Sequence, residues 1–242
     1  MAMGTGMGLL FGQAPPSGFN PKSITGLTAW FAADKITGVA DGASLAAWPD
    51  SSGNGNNATQ ATGGNQPTYY NTTAAKLVNG LPAVWWANST DYMTTAAFAT
   101  ALTVGTVFAV ASIDNGGANT YVYDGIASNN RWALAYGFPG LGITQGGSAP
   151  IQGSFTQGTT VHQYTAGFAA SSASFFNLDG VSVGTGNIGA ETLTGITLGA
   201  YYGLQDYNYN GVMCEFLWYN SVLSPTDISK VEAYLKSKWG TP

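Results

Sequence analysis

Charge is scarce in this chain. Lys, Arg, Asp and Glu together make up 8% of its 242 residues, against roughly 25% in an average globular domain. The seven cations are scattered along the sequence, so none of them cluster to neutralise the phosphates of a nucleic acid. No basic helix face lies beside an apolar one, which excludes a membrane-surface helix. No apolar run approaches the roughly 18 residues that a spanning helix needs. The sequence therefore predicts no nucleic-acid partner and no membrane insertion. A single cysteine, Cys214, excludes an intramolecular disulfide. Its neighbour Glu215 would raise a thiol pKa, not lower it, so Cys214 reads as a buried apolar residue and not as a nucleophile. A single histidine, His162, excludes a histidine-built metal cluster and offers no triad.

Aromatic and small residues are abundant instead. Hydrophobic residues make up 45% of the chain, aromatic residues 13%, and there are 34 glycines. Turn signals recur at Asp41-Gly42, Ser52-Gly53-Asn54-Gly55, Asn79-Gly80, Asp124-Gly125, Asp179-Gly180 and Asn210-Gly211. Between such turns, strand-like runs are predicted at 27–31, 83–86, 104–113, 120–123, 132–136, 162–168, 174–178, 194–198 and 212–219. Asp179-Gly180 reads as a hairpin turn, with residues 181–183 as the returning strand. Only residues 224–240 read as a helix. Ser224 is its N-cap, Pro225 its first position and Asp227 an acid in its first turn, and Gly240 is its stop. Ile228, Val231, Tyr234, Leu235, Lys238 and Trp239 repeat at three and four to form the packing stripe. Many short antiparallel strands and one late helix predict an all-β fold. The expected form is a two-sheet antiparallel jelly-roll β-sandwich with one short C-terminal helix. No fixed period repeats, which excludes a solenoid or propeller.

The chain divides into a glycine-rich arm, residues 1–23, and one domain, residues 24–242. Lys22 is the first cation and the apolar run at 7–11 is broken by Gly8, so the arm does not read as a secretory signal. Met7, Leu9, Leu10 and Phe11 are apolar groups that need a cover. Such an arm is either disordered or an assembly arm docked on another subunit.

Two loops carry candidate binding chemistry. Sugars offer apolar ring faces rimmed by hydroxyls, so their sites combine aromatic rings with amides and carboxylates. Tyr201, Tyr202, Gln205, Asp206, Tyr207, Asn208 and Tyr209 have this make-up, and Arg131-Trp132 places the single arginine beside a tryptophan. The alternative for the first loop is a strand edge with tyrosines packed on their neighbours. Asp50, Asn54 and Asn57 could hold calcium through oxygen ligands, or could serve purely as turn formers. Trp30 and Trp48 read as core anchors beside that turn. No other cofactor is predicted.

The blocks LTAWFAAD (27–34), WPDSSGNGNNATQ (48–60) and QPTY (66–69) resemble the start of laminin G-like jelly-roll domains of the concanavalin A-like lectin/glucanase superfamily. NGLPAVWW (79–86), followed by Asp91-Tyr92-Met93, is similar to that family's next strand pair. NLDGVSVG (177–184) is similar to its central hairpin, and residues 211–240 to its closing strand and helix. Related modules occur in phage structural and tail proteins and in bacterial surface proteins. The resemblance therefore implies first a non-catalytic virion structural protein, either a capsid decoration or a tail or fibre subunit at the virion surface. Its partners would be other virion proteins or copies of itself. The second implied function is a carbohydrate-binding module that recognises host-surface polysaccharide. A third, glycoside hydrolase, requires the superfamily's strand of Glu, Asp two residues on and Glu three further. Here Leu193, Leu217 and Tyr234 stand two positions after Glu191, Glu215 and Glu232, so the motif is absent and no catalytic residue is assigned. Glu215 occupies the family's closing-strand glutamate position and is expected to accept hydrogen bonds from loop backbone.

Overall fold

The structure, a computed structural model, describes residues 18–87, 90–114, 119–137, 140–146, 149–202 and 207–242. Its first strands are β1 (Leu27–Ala32), β2 (Ala43–Ser44), β3 (Ala47–Trp48), β4 (Ala58–Thr59), β5 (Thr68–Tyr70), β6 (Ala83–Trp86) and β7 (Met93–Thr95). The middle of the chain forms β8 (Gly105–Ile113), β9 (Thr120–Asp124), β10 (Trp132–Gly137), β11 (Gly140–Gln145) and β12 (Ile151–Gly153). The rest forms β13 (Gly158–Phe168), β14 (Ser174–Leu178), β15 (Val181–Gly186), β16 (Thr197–Leu198) and β17 (Gly211–Tyr219), then the helix α1 (Pro225–Trp239). The first sheet runs β15-β14-β13-β8-β17-β6-β5-β2, with β1 also paired to β17. The second runs β12-β11-β10-β9-β16-β7-β4-β3, and every pairing in both sheets is antiparallel. This is the all-β sandwich with one C-terminal helix that the turn spacing predicted.

Aromatic side chains tie the sheets together. Phe31 of the first sheet lies 5.9 Å from Trp48 of the second, centroid to centroid, and Trp218 lies 5.4 Å from Tyr123. Such large rings give the core most of its buried apolar area. Strands β8 and β17 are buried along their whole length. Their inner faces meet the second sheet, and α1 packs over the outer side of the first sheet at β8 and β13. Covered on both faces, these strands read as continuous apolar runs instead of alternating ones. Cys214 lies among them fully buried, and burial, seconded by the charge of Glu215, pushes its thiol well up.

The helix is punctuated as expected. The Ser224 hydroxyl accepts the Asp227 N–H at 3.2 Å, Pro225 opens the helix, and Gly240 closes it in the left-handed conformation, φ 68°. Asp179 and Gly180 are both left-handed, φ 50° and 76°, as the two central residues of a type I′ hairpin turn must be. His162 sits nearby with its Nδ1 2.6 Å from Asp179 Oδ2, a local structural pair.

One loop contact makes a pH prediction. Asp41 accepts the N–H groups of Asn71, Thr72 and Thr73 and the Thr73 hydroxyl. These donors, the hydroxyl first, hold its carboxyl well below the ordinary value of 3.8. A depressed folded-state pKa gives stability that is complete above the unfolded value and is lost only as pH falls through the folded one. The amide shifts of Thr72 and Thr73 should therefore stay flat from neutral pH down past 3.8 and move only below it. An NMR titration with its midpoint at or above 3.8 would overturn this.

Candidate functional site

The site begins with an irregularity in the second sheet. Leu134 pairs with Tyr123 but Ala135 pairs with Tyr121, so Val122 is an extra residue in β9. Such a bulge re-aims a side chain. Tyr123 points into the core against Trp218, while Tyr121 turns outward beside Ala135. After Asp124 the chain doubles back through an Ala127–Asn130 bridge to Arg131. Gly125 permits this, since a Cβ there would fall 1.8 Å from the Asn130 carbonyl oxygen. Gly125→Ala should therefore displace the loop that aims Arg131 and lower stability by about 1–3 kcal/mol. Thermal unfolding checks it, and a variant as stable as the parent would overturn it.

Asp124 anchors the site. Its side chain is fully buried and accepts four N–H groups: Arg131 Nε and Nη2, the latter at 2.7 Å, and the backbone N–H groups of Gly125 and Tyr202. Burial raises its carboxyl above the usual range, and the Arg131 hydrogen bonds and charge draw it back. For Arg131, burial opposes the charge, but the Asp124 hydrogen bonds and charge outweigh it and raise the guanidinium pKa. With four N–H donors on the carboxylate and a guanidinium that does not deprotonate, the pair is ionised.

Three tyrosines surround that guanidinium. Its central carbon lies 4.3 Å from the Tyr201 ring centroid, 5.2 Å from Tyr202 and 5.6 Å from Tyr121. Tyr207 joins them at 5.5 Å from Tyr201 and 6.1 Å from Tyr121. Its carbonyl accepts the Tyr121 N–H at 3.1 Å, tying the loop to β9. Tyr207 is 43% exposed and left-handed, φ 50°, a conformation that costs a non-glycine residue about 1–3 kcal/mol and gathers at ligand sites. Burial pushes the Tyr121 and Tyr201 phenols up while Arg131 pulls them down, and both remain neutral at physiological pH.

A groove of about 250 Å³ runs from this cluster over the outer face of β10, β11 and β12. The register builds it. Tyr121, Ala135, Gly142 and Gln152 stand side by side across four strands, two small residues between two larger ones. Gly142 is required, because a Cβ there would meet the Ile151 carbonyl oxygen at 2.4 Å and the Gln152 Cβ at 2.7 Å. Asn119 and Thr144 add polar groups to the walls.

The structure brings together Arg131, Tyr201, Tyr202 and Tyr207, although Arg131 and Tyr201 are 70 residues apart. It removes two other candidates from the surface. Trp132 is fully buried, stacked on Phe168 at 4.7 Å, with its Nε1 donating to the Glu191 carbonyl at 2.8 Å. Tyr209 is also fully buried, its hydroxyl donating to the carbonyls of Ser112 and Val212. Trp132 opens β10 with its ring on the inner face, and Tyr209, which lies just before β17, is held inward by those two carbonyls. Asn208 is half-buried and donates to the Asp91 carbonyl at 3.4 Å. Gln205 and Asp206 lie outside the described residues, as do Met7, Leu9, Leu10 and Phe11 of the arm. Tyr121, Asp124, Asn119 and Gln152 escaped the sequence reading. The outward Tyr121 could have been suspected only from the aromatic repeat in TYVYD.

The three candidate calcium residues, Asp50, Asn54 and Asn57, take part in turn hydrogen bonds. Asp50 accepts from Trp30 N, Ser52 N, the Ser52 hydroxyl and Asn56 N. Asn57 accepts from Asp50 N, while Asn54 donates its amide to the carbonyls of Leu27 and Thr28. These contacts give the oxygens of Asp50 and Asn57 to backbone donors and the Ser52 hydroxyl, and turn the Asn54 nitrogen inward. Among the described residues no group of three or more His, Cys, Asp and Glu side chains gathers as a metal site.

Glu215 forms a second polar centre, under α1. Fully buried, it accepts from the indoles of Trp30 and Trp239, both at 2.7 Å, and from the Tyr234 hydroxyl at 2.9 Å. Lys238 lies 2.7 Å from it and 2.7 Å from Asp34. The partners are side chains of β1 and α1, not the loop backbone the resemblance implied. The larger cleft outside this centre, about 1120 Å³, is bordered by Phe19, Lys22 and Lys35. The charged groups at its base are already paired with one another. It is the mouth of a structural clasp, whereas the groove beside Arg131 exposes its rings.

No family model matches the sequence, and no curated protein matches it. Solved structures do match. Domain 4 of AbnA, a GH43 extracellular arabinanase from Geobacillus stearothermophilus solved with arabinotriose, superposes with TM-score 0.63 at 16% identity, over 86% of this chain and 98% of that one. The receptor binding domain of botulinum neurotoxin D gives TM-score 0.62 at 12% identity, over 86% of this chain and 52% of that one. Trypanosoma rangeli sialidase with sialic acid gives TM-score 0.57 at 14% identity, over 90% of this chain and 34% of that one. At such identities the likeness is one of fold: the chain shares their two-sheet antiparallel β-sandwich, and these matches carry no laminin G or phage assignment.

Proposed function

We propose that this chain is a carbohydrate-binding module whose site is the tyrosine cluster around Arg131 and the groove beside it. One observation carries the reading: an ion-paired guanidinium holds several tyrosine rings at the end of a small-residue-floored groove walled by Asn119, Thr144 and Gln152. Rings meet the apolar faces of a sugar, and amides and hydroxyls meet its hydroxyl rim. The similarity to a domain solved with arabinotriose supports the same reading. The module is read as non-catalytic. Hydrolysis by paired carboxyls needs two of them flanking the bond, and the described residues lining the groove include none.

Glycan-array screening followed by calorimetric titration tests this. Tyr207→Ala and Tyr121→Ala should each weaken binding by about tenfold or more, as truncating an aromatic anchor does. Tyr207→Ala, at an exposed position, should leave the unfolding temperature nearly unchanged. Binding that survives both substitutions would move the site elsewhere, and binding to no glycan would end the reading. Display on a virion surface, as a decoration or tail subunit, is a compatible finer proposal that rests on the sequence resemblance and the arm alone. Particles whose jelly roll lacks residues 1–23 would test it, retained assembly counting against it.

A further inference from the structure

We infer that the groove selects uncharged glycans over acidic ones, a deepening that rests on the carbohydrate-binding reading above. Among the described residues lining the groove, Arg131 is the single ionic side chain. Its positive charge is already answered by Asp124, which takes Nε and Nη2. Those two nitrogens form the fork that would otherwise bind a sugar carboxylate in bidentate fashion. The remaining nitrogen, Nη1, faces the Tyr201 hydroxyl at 3.4 Å, and tyrosine rings surround the guanidinium. Arg131 thus positions rings and does not recognise an anion. A uronate or sialate entering the groove would give up hydration without a free cation, close to a buried carboxylate, on a chain of net charge −5. Sugar hydroxyls, by contrast, find the amides of Asn119 and Gln152, which donate and accept alike. The volume, about 250 Å³, lies just below the roughly 300–1,000 Å³ of sites for drug-sized ligands, so the groove takes a short stretch of one or two sugar rings.

The test compares neutral arabino-, xylo-, galacto- and gluco-oligosaccharides with uronate- and sialate-bearing ones, each titrated at low and high salt. The wild type should prefer a neutral oligosaccharide by at least about tenfold, with an affinity that salt leaves unchanged. Gln152→Lys, an exposed change that adds an unanswered cation, should narrow that preference by improving acidic binding at low salt. Acidic glycans bound more tightly by the wild type, with affinity falling as salt rises, would overturn the inference while leaving glycan binding intact. No response of acidic binding to Gln152→Lys would overturn the charge-balance argument. Binding to neither class would instead overturn the carbohydrate-binding reading itself.

Discussion

Replacing Glu215 with leucine should be among the most damaging single changes in the sandwich. The carboxylate is fully buried and serves three neutral donors at once, the indoles of Trp30 and Trp239 and the hydroxyl of Tyr234. Leucine accepts nothing. Each buried donor left unsatisfied costs about 1–3 kcal/mol, and Lys238 would keep only Asp34 as a counter-ion. A loss above about 4 kcal/mol belongs to this kind of damage, a buried hydrogen-bond and ion-pair network broken at its centre. Glu215→Gln should cost markedly less, because its amide oxygen still accepts two of the three donors. Chemical denaturation of the two variants separates the cases. Equal losses, or a loss below about 1 kcal/mol for leucine, would show that the acceptor is not what holds α1 to the sheet. Neither change should alter glycan affinity in folded protein. The clasp lies outside the first sheet and the groove outside the second.

The closing strand and helix were the most legible part of the sequence, and the reason is local. Ser224, Pro225, Asp227 and Gly240 act within a few residues of themselves, so their positions determine the helix without knowledge of the rest. The Asp179-Gly180 hairpin is legible for the same reason, its two left-handed residues being the turn. Strands 83–86 and 174–178 were read with their observed bounds. Strand β11 was not: GLGITQ carries two glycines in six residues, which reads as loop, and its extended form is set by pairing with β10 and β12. Those glycines clear the groove floor, so the feature that makes the site hid it in the sequence. Glu215 was placed correctly as structural, yet its partners lie up to 185 residues away and no local pattern names them. Trp132 and Tyr209 fell to the same difficulty in reverse. Composition marked their segments as aromatic and polar, but which ring faces water is set by distant partners, Phe168 for Trp132 and Ser112 for Tyr209, and, for the outward Tyr121, by one bulge in β9.

That bulge makes Arg131 the residue on which stability and binding meet. Arg131→Ala should lower stability by about 3–5 kcal/mol, the cost of leaving a buried carboxylate without its partner. Asp124 would keep only the N–H groups of Gly125 and Tyr202. The same truncation removes the surface on which Tyr201 and Tyr202 rest, so affinity for glycan should also fall, by about tenfold or more. The two losses have different origins and can be parted. Pairing Arg131→Met with Asp124→Asn removes both charges together and keeps an oxygen for the two backbone donors, so most of the stability should return. Binding should not return with it, because methionine has no flat cation to face the tyrosine rings. A double variant as unstable as Arg131→Ala would show that the ion pair is not the source of the stability loss. A stable double variant with full affinity would show that the guanidinium does not organise the rings, leaving the groove and Tyr207 as the whole of the site.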